Sequence, residues 1–258
     1  MILGSRIIKQ ATILFIFIVL LGGFGFLSMR LISPPVPTPT FDPRSLLSPI
    51  EVIGSYFFGS FDQDYDVLVK VRNPNSEYGS GNIRYALYAI FDDNTREQSL
   101  SGSFYILPGQ TQNLVFSPIK TTRQAVRFEL QVFGEDWKKL DHLSENAVHF
   151  VIQNLSLSFS GVLPITKIGG NVLNDTDFDI EKVEVVGILY DASGAPVGVN
   201  RTDLRSFRAR TLRGFEMSWT RPLLGKPVRE YAEVHVNVFE NDNFINLYVS
   251  QPNALDNP

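Results

Sequence analysis

Two hydrophobic periodicities divide the chain. Between Lys9 and Arg30, the twenty residues Gln10 to Met29 carry no charge. As a helix rising about 1.5 Å per residue, such a run spans roughly the 30 Å hydrocarbon core of a bilayer. Further on the pattern has period two. Phe128, Leu130 and Val132 alternate with Arg127, Glu129 and Gln131, and Val234, Val236 and Val238 alternate with Glu233, His235 and Asn237. Apolar side chains then fall on one face of a strand and polar ones on the other. Asn73-Pro74-Asn75, Asp92-Asp93-Asn94, Pro108-Gly109 and Asp191-Ala192-Ser193-Gly194 supply the reversals between strands. No long amphipathic helix competes with this reading.

The apolar run is expected to be an uncleaved anchor. It exceeds the 7 to 15 residues of a signal-peptide core, and Leu27-Ser28-Met29-Arg30-Leu31-Ile32 offers no small-residue cleavage site. Arg6, Lys9 and the amino terminus face Arg30 and Arg44 across it, which favours a cytoplasmic amino terminus and an exported body. Pro34, Pro35, Pro37, Pro39, Pro43 and Pro49 follow. They predict an extended, polyproline-like stalk, with an alternative use as a proline-rich ligand. The expected organisation is a tail (1–9), transmembrane anchor (10–32), Pro-rich stalk (33–49), first β-sandwich (50–140), second β-sandwich (141–250, with a connecting segment 141–148) and a C-terminal tail (251–258).

The β-rich body repeats itself. Lys70 to Asn75, Tyr85 to Asp93 and Arg127 to Phe133 have counterparts in Asn171 to Asp175, Val185 to Asp191 and Glu233 to Phe239, about 100 residues later. That spacing predicts two tandem domains, and many short one-sided strands predict antiparallel sandwiches. Tyr88-Ala89-Ile90-Phe91-Asp92 and Gly187-Ile188-Leu189-Tyr190-Asp191 resemble the Phe-x-Leu-Tyr-Asp signature of the FxLYD domain family. Asn73-Pro74-Asn75 resembles the turn of WHy, or late-embryogenesis-abundant type 2, domains. Gly187 stands where the signature has Phe, and Asn174-Asp175-Thr176 lacks the proline. The resemblance implies an all-β fold of two tandem immunoglobulin-like antiparallel β-sandwiches after one N-terminal transmembrane helix, and it transfers no catalytic residue.

Composition changes this picture little. Hydrophobic residues make up 44%, charged residues 19%, and the net charge of -4 gives no global nucleic-acid signature. The absence of cysteine excludes disulfides, thiolate metal sites and cysteine nucleophiles.

Candidate chemistry is sparse. His142, His149 and His235 are scattered, with His235 on the polar face of a strand. Ser117-Pro118-Ile119-Lys120 matches Ser-x-x-Lys only formally, because the acylating version opens a helix. Gly22-Gly23-Phe24-Gly25 lies inside the anchor, where it suits helix packing. Two aspartate ladders, Asp62, Asp64, Asp66 and Asp175, Asp177, Asp179, place carboxylates on one side of an extended chain, and the second is a weak calcium candidate. Neither has the glycine and distal glutamate of an EF-hand, and solvated, Asp-rich turns are the favoured explanation of both.

From Arg201 to Arg229, eight basic residues meet only Asp203 and Glu216. Arg205, Arg208, Arg210 and Arg213 are the candidate anion-binding residues, facing an acidic envelope polymer, a lipid headgroup or a protein partner. The alternative is a solvated face neutralised across the sheet by Glu181, Glu184 and Asp191, while Phe215, Met217 and Trp219 alternate as core. No cofactor, resident metal or nucleic-acid partner is expected. Three function classes follow: a membrane-tethered extracytoplasmic interaction or structural protein, non-enzymatic; an envelope-stress or desiccation-protective protein of WHy type; and a hydrolase with a dispersed site.

Overall fold

The computed structural model describes residues 3–32, 43–59, 62–140, 148–159 and 165–249. The residues 33–42 of the expected stalk, most of the connecting segment with His142, and the C-terminal tail lie outside them. The chain divides into two compact units, Met1–Ser45 and Leu46–Pro258.

The first unit contains α1 (Leu3–Ile32), which covers the whole uncharged run. Its side chains are described over 11–24 and at 26, and among the described residues no helix is long and apolar enough to cross a membrane. Nine consecutive apolar side chains, Ile13 to Leu21, are each 52–67% exposed. Successive residues turn by about 100°, so they cover every side of the helix.

The second unit is mostly β. Its strands are β1 (Glu51–Gly59), β2 (Asp64–Arg72), β3 (Tyr78–Ile90), β4 (Arg96–Ile106), β5 (Thr111–Lys120), β6 (Arg127–Phe133), β7 (Lys138–Lys139), β8 (Phe150–Phe159), β9 (Thr166–Asn174), β10 (Ile180–Tyr190), β11 (Pro196–Phe207), β12 (Leu212–Trp219) and β13 (Arg229–His235). All pairings are antiparallel. A β1-β2-β5 sheet packs on a β4-β3-β6 sheet, to which β7 adds; a β12-β9-β8 sheet packs on a β11-β10-β13 sheet. The first pair encloses Tyr65, Val67, Val69 and Val71 with Ile83, Leu87 and Phe116. The second encloses Ile168, Val172, Val183, Val185, Phe215, Met217 and Trp219. The expected alternation holds in β12, where Phe215, Met217 and Trp219 are buried, and in β6, where Phe128 is buried.

The expected turns have local causes. Asn94 at φ 62°, Gly109 at φ 64° and Gly194 at φ 83° occupy the left-handed region that glycine and asparagine tolerate. Asp191 caps its own turn, its carboxylate accepting from the N–H groups of Ser193 and Ala195.

A buried asparagine joins loop to loop in each sheet pair. Asn73 donates from Nδ2 to the carbonyls of Tyr78 (2.7 Å) and Leu107 (2.9 Å), and its Oδ1 accepts from the Asn75 N–H. Asn174 donates to Phe178 and Arg208 at 2.9 and 3.1 Å and accepts from the Thr176 N–H and hydroxyl. Both are fully buried. The repeat is thus a shared hydrogen-bond device, and proline at the next position is dispensable to it.

Two expectations need correction. The last strand ends at His235, and the chain continues as a 3-10 turn (Val238–Glu240) and α2 (Asp242–Tyr248), so Val238 and Phe239 pack from a turn. The signature segments are also displaced by one residue. Phe91 and Asp191 occupy the same place, each donating its N–H four residues ahead, to Thr95 and Ala195. Asp92 is therefore not the partner of Asp191, and Gly187 corresponds to Leu87. A Cβ on Gly187 would lie 2.6 Å from Met217 Cε, because Met217 and Trp219 fill the space Leu87 fills in the first pair.

The two sheet pairs are not separate bodies. Phe58, Leu68 and Val115 from the outer face of the first pair meet Val186, Ile188 and Val199 from the second in a third apolar core. Two outcomes are expected in urea unfolding of the full chain. The body should unfold in one transition, and Ile188→Ala should lower the midpoint of all of it, the loss of unfolding free energy being about 2–4 kcal/mol. Asn174→Ala leaves buried carbonyls and an N–H without partners and should cost about 2 kcal/mol or more. Two resolved transitions would contradict the shared core.

Candidate functional site at the junction of the sheet pairs

Strand register decides what faces the junction. In β10, Glu184, Val186 and Ile188 point one way; across from them stand His235, Glu233 and Tyr231 in β13 and Asp203, Arg201 and Val199 in β11. The Ile188 end is apolar and the Glu184 end is ionic.

His235, on the polar face of β13, is only 6% exposed. Its Nε2 lies 2.6 Å from Glu233 Oε1, and its Nδ1 lies 3.8 Å from Glu184 Oε1. Glu184 also accepts from Arg201 at 2.8 Å. Glu233 reaches the other sheet pair, accepting from the Asn113 N–H at 2.7 Å and its amide at 2.9 Å. Two further bonds tie the same segment to the first pair: Val236 N–H to Tyr105 Oη at 2.5 Å, and Asn237 Nδ2 to the Gly81 carbonyl at 3.1 Å. Phe239 sits against Gly79 and Gly81, where an added Cβ would come within 2.9 and 2.5 Å of its side chain. Glycine is required there for the close approach.

Burial alone would lower the His235 pKa, but the Glu184 and Glu233 carboxylates outweigh it and raise it to about 9. Burial pushes both carboxylates up, and His235, with Arg201 at Glu184 and Asn113 at Glu233, brings them below their ordinary value. An imidazolium held this way has no lone pair to act as a base. Burial also raises the Tyr105 phenol.

Beside this cluster a cleft of about 560 Å³ opens between the sheet pairs, bordered by Tyr85, Phe104, Gln112, Lys138, Asn237 and Phe239 among others.

The residues singled out in the sequence fall elsewhere. Arg210 forks onto Asp177 at 2.9 Å and also pairs with Asp175. Asp175 holds His149 Nδ1 at 3.1 Å, and the His149 bond, together with Arg210, keeps its carboxyl below the ordinary value against the opposing effect of desolvation. Asp179 accepts from the Ala209 N–H at 2.8 Å. A guanidinium and a backbone amide thus occupy the second aspartate ladder, and no group of three metal-ligating side chains occurs among the described residues. In the first ladder, Asp64 pairs with Arg221 at 3.3 Å, and Asp66 accepts from Ser117, so Ser117 and Lys120 lie on β5 and not at a helix start. Arg213 donates to the backbone carbonyls of Arg205 and Ser206. Arg205 and Arg208 are exposed, and no carboxylate engages them among the described residues.

Alternation in β13 identifies a polar face but not what covers it, so it does not reveal the His235 cluster. The signal that contradicts alternation is the unbroken run Val185-Val186-Gly187-Ile188-Leu189, which marks a strand buried on both faces.

No protein-family model and no curated protein matches the chain. Among solved structures, the crystal structure of red sea bream transglutaminase is similar over 71% of this chain and 29% of its own, at 10% identity and a TM-score of 0.21. The chain spans under a third of that protein's length. A likeness this distant carries no argument.

The cluster makes stability depend on pH in a set direction. A histidine whose folded pKa of about 9 exceeds its unfolded value of about 6.5 contributes stability that is fully present below pH 6.5. That contribution, on the order of 3 kcal/mol, is lost as pH rises through about 9. The depressed carboxylates act in the opposite sense, losing theirs as pH falls below their ordinary range near 4.5. Melting temperature should decline between about pH 6.5 and 9, and His235→Gln should flatten that decline; an unchanged profile in the variant would exclude the cluster as its source.

Proposed function

We propose that the protein is a membrane-tethered, extracytoplasmic interaction or structural protein, non-enzymatic, that presents two immunoglobulin-like sandwiches as one rigid head. The observation that carries this reading is the sheath of apolar side chains around α1 from Ile13 to Leu21. A helix apolar on every side belongs in a protein core or a bilayer, because in water it would leave a continuous hydrophobic surface exposed. The positive charges of Arg6 and Lys9 before the run favour a cytoplasmic amino terminus. The junction supports a presenting role: its histidine is locked between carboxylates, and its strands are braced on both faces. The resemblance to FxLYD and WHy domains agrees with such a head, and a WHy-type protective role or a hydrolase are the readings it competes with. For an acidic partner, Arg205 and Arg208 are the arginines left to make contact.

The cysteine-free sequence permits a direct test. Leu224 is 65% exposed in the body. With Leu224→Cys, a membrane-impermeant maleimide should label the protein in intact cells, and the chain should stay in the membrane after alkaline carbonate washing. Labelling only after lysis would reverse the orientation; release by carbonate would remove the anchor. Binding to anionic vesicles, if Arg205 and Arg208 carry it, should fall with salt and fall again in Arg205→Gln/Arg208→Gln, whereas equal binding by this variant at low salt would dismiss the anion face.

A further inference from the structure

Two carbonyl oxygens beside the junction cleft are buried without a hydrogen-bond donor: Gln112 Oε1 and Asn237 Oδ1. Both residues line the cleft. Their amide nitrogens are committed, that of Gln112 to the Tyr105 carbonyl at 2.8 Å, that of Asn237 to Gly81 and Glu240. The orientation of each amide is therefore fixed, with its acceptor left over. Gln112 is 2% exposed. An unsatisfied buried acceptor costs about 1–3 kcal/mol, and native proteins leave few of them unless a water or ligand completes them.

The rest of the lining defines what would complete them. Asp136, Glu184 and Glu240 stand against Lys138, Lys182, Arg201 and the His235 imidazolium, and Glu233, bonded to His235 at 2.6 Å from outside the lining, offsets the fourth positive charge, so the charges at the cleft balance. Lys182 is further occupied by Asp203 at 3.2 Å, and Arg201 by Glu184. A strongly charged ligand would meet as much repulsion as attraction. Tyr85, Phe104 and Phe239 border the cleft with the small parts of their rings that the cores leave uncovered, 6–9% of each residue, and the volume of about 560 Å³ falls in the ordinary range of small-molecule sites. Hydroxyl groups can donate to orphaned carbonyl oxygens and accept from lysine, and the C–H faces of a sugar ring pack on aromatic rings.

We propose that the junction cleft binds a neutral saccharide of one or two rings, whose hydroxyls donate to Gln112 Oε1 and Asn237 Oδ1 while its C–H groups lie against the uncovered parts of Tyr85, Phe104 and Phe239. The site is independent of the anchor, so its failure would leave the membrane reading untouched.

The test uses the full chain in phosphatidylcholine nanodiscs, which avoids sugar detergents, with saturation-transfer NMR against cellobiose, maltose and N,N'-diacetylchitobiose. At least one should receive saturation. Gln112→Met removes the acceptor and should weaken binding about tenfold or more. Ser103→Trp should also abolish it, since Ser103 lines the cleft and is exposed, so a bulky side chain there obstructs entry without entering the core. Should Gln112→Met fail to fold, Ser103→Trp decides alone. Absence of transfer to all three sugars, as when water alone satisfies the acceptors, overturns the proposal. So does binding that survives Ser103→Trp.

Discussion

Burial of β2 and β10 on both faces is the constraint from which the rest of the body follows. A strand in a two-layer sandwich has one core face and one solvent face. Here Val67 and Val69 enter the first core while Leu68 enters the junction, and Val185 and Leu189 enter the second core while Val186 and Ile188 enter the junction. At about 25 cal/mol per Å² of apolar surface, removing such side chains from water is the main force holding the two pairs together. Geometry does the remainder: once Ile188 and Leu68 meet, the next residues along the same strands must be taken into the junction too, whatever their polarity.

Those next residues are charged, and their pairing reflects that obligation. Burying one carboxylate or imidazolium alone would cost several kcal/mol, so each is matched. Glu233 receives two donors from Asn113 and one from His235; Glu184 receives Arg201 and His235. Glu184 stands directly opposite Asp203 in β11, a repulsive arrangement relieved because Arg201 and Lys182 each draw one of them aside. The network fixes the register of the two pairs more sharply than an apolar face would, since displacement along the strands would strand several charges at once.

Much of this was legible in the sequence, and the failures share one cause. Strand existence, turn positions and the alternation of Phe215, Met217 and Trp219 follow from local chemistry, which a single strand's residues contain. Asn73 was recognised as a turn residue and Asn174 as its counterpart in the second copy, but the burial of both was not, because their partners at Leu107 and Arg208 lie more than thirty positions away. The burial of His235 was not legible either, because alternation identifies the polar face of a strand but not what covers it. The arginine stripe looked like an excess because its counter-charges, Asp64, Asp175, Asp177 and Glu184, stand earlier in the chain. The one-residue slip in the signature segments belongs here as well: side chains in a strand alternate faces, so a slip by one exchanges core with surface, and only hydrogen bonds identify the true register.

The corrected register also explains why the junction joins one sheet of each pair and stops there. By the equivalence of Asn73 with Asn174 and of Phe91 with Asp191, β1-β2-β5 corresponds to β8-β9-β12, and β4-β3-β6 to β11-β10-β13. The junction therefore unites non-equivalent sheets, a head-to-tail contact of the kind that can propagate from molecule to molecule if the unused faces match. They do not match. Where the first pair offers Leu68 and Val115, the second has Gly169 and Glu216, the latter bound to Lys167 at 2.8 Å. Where the second offers Val186 and Ile188, the first has Ala86 and Tyr88, with Arg96 lying 4.7 Å over the tyrosine ring. At these positions each copy keeps the apolar version of only one of its two outer faces, so the first copy's β1-β2-β5 and the second copy's β11-β10-β13 consume each other within one chain, and among the described residues the corresponding positions of the other two outer faces do not repeat the apolar set.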